Sequence, residues 1–121
     1  MPVRFALNRT CAPQLPLSDF IALAVSVGVQ AVEIRNDIEG REFADGTPAT
    51  EVRARLDAAG LGVASVNALQ RFNDWTPTRA KEAEAIIAYA AALGGRCFQA
   101  WSPRSVTPIS RHRWLRVRVP R

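Results

Sequence analysis

Apolar positions along the chain change period several times, and the changes mark out three repeats of strand, loop and helix. Residues 3–7 form a short β-prone run that ends in the polar, proline-bearing stretch 8–13. Phe20, Leu23, Ala24 and Val27 then recur at helical spacing. Ser18 is the expected N-cap, Asp19 lies in the first turn where the helix dipole favours an acid, and Gly28 stands where a left-handed C-terminal residue is wanted. Residues 31–35 read as a second strand and the acidic, glycine-bearing stretch 36–46 as a loop. The second repeat opens with Thr47 as N-cap and Pro48 at the first helical position, runs through Val52, Leu56 and Ala59, and closes at Gly60. A third strand is expected over 61–66. A third helix, opened by Thr76 and Pro77, carries Ala80, Ala83, Ile87, Ala90 and Ala91 to Gly94.

Strands alternating with helices at about 30 residues per unit predict an α/β fold with parallel strands. A doubly wound sheet or part of a (β/α)8 barrel fits. No glycine-rich phosphate-cradling signature follows any strand, which favours the barrel. No apolar run approaches the roughly 18 residues of a membrane span. The N-terminus lacks a signal-peptide pattern, and Cys11 and Cys97 form no CxxC pair, so a cytoplasmic protein with free thiols is expected.

In parallel βα folds, functional side chains gather at the C-terminal ends of the strands. Those positions hold Asn8 and Arg9, then Glu33 to Arg35, then Asn67 to Arg71. Amides and charges at all three ends suit a polyol pocket, although loop starts are commonly polar. Val32 and Ile34 point away from Glu33, so its carboxylate is expected to face the barrel interior, where it must be paired or functional. Arg35, two residues on, is one structural partner for it.

Three stretches, residues 5–8, 28–35 and 66–73, together resemble the sugar phosphate isomerase/epimerase family with the xylose isomerase-like TIM barrel. The resemblance is greatest to inosose (2-keto-myo-inositol) isomerases and hydroxypyruvate isomerase relatives. It covers residues 3 to about 95, and implies a partial (β/α)8 TIM barrel: the first three βα units plus a candidate fourth strand near 97–101. It also implies an intramolecular isomerase or epimerase of a small sugar or cyclitol, in which a divalent metal (Mn, Mg, Co or Zn) assists proton transfer beside a carbonyl. The family's metal ligands come from later strands. No carboxylate follows Glu84 and the single histidine, His112, lies between arginines, so no metal ligand and no catalytic residue carries over. Asn8, Glu33, Arg35, Asn67 and Arg71 carry over as substrate-binding residues. The expectation is a truncated chain, inactive alone.

Charge divides the chain at Gly95. Residues 1–95 hold nine Lys/Arg against eleven Asp/Glu, whereas 96–121 hold seven Arg and no acid, giving +5 overall. Residues 96–121 are expected to be a basic, irregular tail. Their Arg, Pro, Ser and Trp content is what a shifted reading frame of a GC-rich gene yields. The alternative is a non-catalytic fragment or partner protein whose basic arm binds nucleic acid, with Trp101 or Trp114 stacking on bases. Three or four units leave open sheet edges, so self-association is expected, as is poor cover for Val63 and Val66 on the barrel-facing side.

Overall fold

The computed structural model describes residues 3–95, together with 97–102 and 113–118 by their backbone. Strands β1 (Ala6–Asn8), β2 (Ala31–Arg35), β3 (Gly62–Gln70) and β4 (Cys97–Ser102) pair in parallel, in sequence order. Helices α1 (Leu17–Ser26), α2 (Ala49–Ala58) and α3 (Pro77–Ala92) connect them. A doubly wound sheet reverses its strand order at a switch point; this sheet has no reversal and is an arc of a barrel. The fourth strand expected near 97–101 is present as β4. A fifth, β5 (Arg113–Arg118), pairs antiparallel with it and lies in the stretch expected to be irregular. The rest of that tail, with His112, lies outside the described residues.

The helices close in one way. Gly28 follows α1 at φ 74°, its N–H bonds to Val25 O at 3.0 Å, and Val29 N–H bonds to Ala24 O at 3.4 Å. This paired pattern satisfies carbonyls that the helix end leaves open. Gly60 after α2 and Gly94 after α3 repeat it. Helix starts differ from expectation at two of three places. Thr76 does cap α3, accepting from Arg79 N–H at 3.2 Å. The cap positions of α1 and α2 are instead Pro16 and Pro48, without a side-chain cap bond. Ser18 lies within α1, its hydroxyl donating to Asp19. Proline fixes φ near the value a helix entrance needs, which suffices here.

The core lies between sheet and helices. Val32, Ile34 and Val66 meet Phe20 and Ala24 of α1, Val52 and Leu56 of α2, and Ile86 and Ala90 of α3, all buried. The expectation that Val63 and Val66 face the barrel with poor cover is overturned. Val66 is fully buried and Val63 packs against the core. Their shared face comes from a register shift: Val32 pairs with Val63, Glu33 with Ser65 and Ile34 with Val66. One extra residue, Ala64, reverses the alternation of the strand.

Candidate functional site

The opposite face of the sheet carries the polar groups. In β2, buried Val32 and Ile34 alternate with half-buried Ala31, Glu33 and Arg35. Glu33 stands between strands that both donate to it. Asn8 at the end of β1 gives its Nδ2 to Oε1, and Asn67 of β3 gives its Nδ2 to the same oxygen at 2.9 Å. The Ser65 hydroxyl donates to Oε2. Asn8 is fixed in turn, because its Oδ1 accepts from the N–H of Thr10 at 2.9 Å and from its hydroxyl at 2.7 Å. Ser65 and Asn67 are buried. Three donors on one carboxylate hold its plane.

The five residues expected to bind substrate do not form one cluster. Asn8, Glu33 and Asn67 meet. Arg35 pairs with Asp37: its Nε and Nη2 grip that carboxylate at 2.8 and 2.6 Å, and Gln70 Nε2 also reaches Asp37, at 3.2 Å. Arg71 lines a separate crevice between the end of β3 and α3, to which Asn8, Glu33, Arg35 and Asn67 do not contribute. Ser65 was not legible as a member of the cluster, because simple alternation from a barrel-facing Val66 turns it away from Glu33. Arg9, at a strand end, looked available for a ligand. It is wholly buried, with Nε 2.9 Å from Glu42 Oε2, and its guanidinium sits 4.6 Å above the Phe20 ring.

The Glu33 cluster does not suit a metal ion. Its oxygens receive N–H and O–H donors, and the nearby amide groups present hydrogens to the carboxylate rather than oxygens to a shared cation. Among the described residues no group of three or more His, Cys, Asp or Glu could hold a metal. What the arrangement can do is accept hydrogen bonds. A half-buried, pre-oriented carboxylate beside carboxamides matches the hydroxyls of a polyol better than an apolar or anionic ligand.

No family model matches the chain, and no curated protein matches it. Solved structures do. A xylose isomerase domain-containing protein from Salmonella typhimurium LT2 shares 30% identity at a TM-score of 0.73, over 81% of this chain and 37% of that one. The IolI protein, whose structure has a bound zinc atom, matches at 16% identity and a TM-score of 0.69, over 87% of this chain and 41% of its own. A xylose isomerase domain protein from Alicyclobacillus acidocaldarius matches at 21% identity and a TM-score of 0.59, over 78% of this chain and 35% of its own. The two lower identities show a shared fold. The chain thus spans about two fifths of the length of the structures it matches.

Proposed function

We propose that the chain is part of one barrel of the xylose isomerase-like TIM-barrel family, and that this part is the hydroxyl-binding wall of a sugar isomerase or epimerase. The substrate is a small sugar or cyclitol of the inosose or hydroxypyruvate type. Asn8, Glu33 and Asn67 hold its hydroxyls, with Ser65 fixing the carboxylate and Arg35 outside the cluster. The observation that carries this reading is the position of Glu33, at the C-terminal ends of adjacent parallel strands and held by donors from both neighbours. Catalysis in this reading needs a divalent metal, as the zinc in the IolI structure suggests, and ligands that the described residues do not supply. In this reading the described residues contribute binding rather than turnover.

The test is a titration of the purified chain with myo-inositol and 2-keto-myo-inositol, followed by the side-chain amide resonances of Asn8 and Asn67. Turnover is assayed in parallel with Mn²⁺, Mg²⁺, Co²⁺ or Zn²⁺ present. Saturable shifts at those two amides, lost in Glu33→Gln, together with no turnover, are expected. Turnover by the chain alone, or shifts that survive Glu33→Gln, would sink the reading.

A further inference from the structure

The crevice beside α3 has a chemistry unlike that of the Glu33 cluster. Its volume is about 680 Å³, within the roughly 300–1,000 Å³ of small-molecule sites. Phe43, Leu69, Ala85 and Ile86 give it apolar walls, and Arg71, Arg79 and Lys81 stand against a single acid, Glu82.

The three cations are not equivalent. Arg79 is committed: its Nη1 donates to Arg71 O at 3.1 Å and to Asp74 O at 2.7 Å, and it lies within ion-pair range of Asp74 and Glu82. Arg71 and Lys81 enter no ion pair among the described residues. The backbone under Arg71 is nevertheless tightly held. It takes φ 52°, a conformation that L residues rarely adopt, and its carbonyl accepts from both Asp74 N–H and Arg79. Arg79 thus secures the turn that presents Arg71. Two buried side-chain atoms without a hydrogen-bond partner, Asn36 Oδ1 and Arg79 Nε, also belong to residues of this wall, so it has bonding capacity that the fold itself leaves unused.

We propose that this crevice is a second binding site, for a small anion with an apolar body such as an aromatic carboxylate. Phe43, Leu69 and Ile86 cover the body, and Arg71 and Lys81 hold the carboxylate. Neither feature selects the neutral polyol proposed for the Glu33 cluster, so the two sites take ligands of different classes. Inorganic phosphate has charge but no apolar body, and a neutral naphthyl alcohol has the body but no charge. A ligand with both is what the walls and the two uncommitted cations match together.

The experiment titrates the chain with 2-naphthoate, 2-naphthylmethanol and inorganic phosphate, reading backbone amide shifts. The naphthoate is expected to give saturable shifts at residues 69–71 and 78–82, with at least about tenfold tighter binding than either control. Arg71→Gln and Lys81→Gln each weaken it about threefold and together about tenfold, as expected for exposed charge contacts. Glu82→Gln strengthens it, because it removes the one acid of the lining, and Glu33→Gln leaves it unchanged. No saturable shift, equal binding of either control, or naphthoate binding that survives the double substitution overturns the proposal.

Discussion

The guanidinium of Arg9 and the carboxylate of Glu42 meet inside the protein, Nε to Oε2 at 2.9 Å, with side-chain exposures of 0% and 4%. The contact joins the turn after β1 to the loop between β2 and α2. Arg9 also donates to Ala12 O and Leu15 O, so it staples the first loop to itself as well as to the second.

Removing one partner from such a pair is expected to cost about 3–5 kcal/mol, because it strands a buried charge. Arg9→Ala should be the worst case. It leaves Glu42 unpaired, deprives two carbonyls of a donor and empties the space above Phe20. Glu42→Gln retains an acceptor for Arg9 and should cost less. An apolar double replacement, Arg9→Met with Glu42→Leu, should recover much of the loss. Urea unfolding of the three variants gives the ranking, and a Glu42→Gln variant weaker than Arg9→Ala would contradict it.

This pair also shows where sequence reading stops. The βα rhythm, the glycine at each helix end and the inward face of Glu33 were all legible, because each depends on residue types close together in the chain. The partner of Arg9 lies 33 positions away, and nothing local distinguishes Glu42 from the other acids of its loop. Ser65 was hidden for a different reason. The extra residue at Ala64 shifts the register of β3, and a shift of one residue moves every later side chain to the other face. A bulge leaves little mark in composition, so plain alternation turns Ser65 away from the site and Val66 toward it. Arg35 was legible as a paired cation on the inner face, but its pairing with Asp37 depends on how the loop after β2 folds back.

The helix ends separate two costs that usually come mixed. Gly60 has φ 70°, and a Cβ added there would have nothing within 4 Å, so Gly60→Ala meets only the conformational penalty of an L residue, about 1–2 kcal/mol. Gly94 has a nearly identical φ, 71°, but a Cβ there would stand 1.8 Å from Arg53 Nη1. That nitrogen donates to Leu93 O at 2.9 Å, at the end of α3. Gly94→Ala therefore also displaces the Arg53 side chain and its bond, a further loss of about 0.5–1.5 kcal/mol. Thermal or urea unfolding should place Gly94→Ala below Gly60→Ala. In an Arg53→Ala background the additional penalty should vanish; if the gap persists there, Arg53 is not its cause.

Tyr89, the single tyrosine of the chain, gives a direct pH readout of the packing between α3 and the loop before α2. Its hydroxyl donates to Thr47 O at 3.1 Å, and its ring meets Phe43 edge-on at 5.0 Å. Burial first, then the carboxylates of Glu42 and Asp45, push its pKa from 10.0 up to about 12. The phenol is therefore easier to ionise in the unfolded chain. Its stabilising effect is complete below about pH 10 and is lost as pH rises toward about 12, because over that window only the unfolded state has released the proton. Half-exposure reduces the size of the effect but not its sign. Phenolate absorbance of the folded protein should accordingly rise well above pH 10, and should shift down to the ordinary range in urea. Tyr89→Phe loses one hydrogen bond at neutral pH, about 0.5–1.5 kcal/mol, and its stability should fall less steeply than that of the parent chain between about pH 10 and 12. Parallel stability curves for the two proteins across that window would show that the Tyr89 hydroxyl is no more protected in the fold than in the unfolded chain.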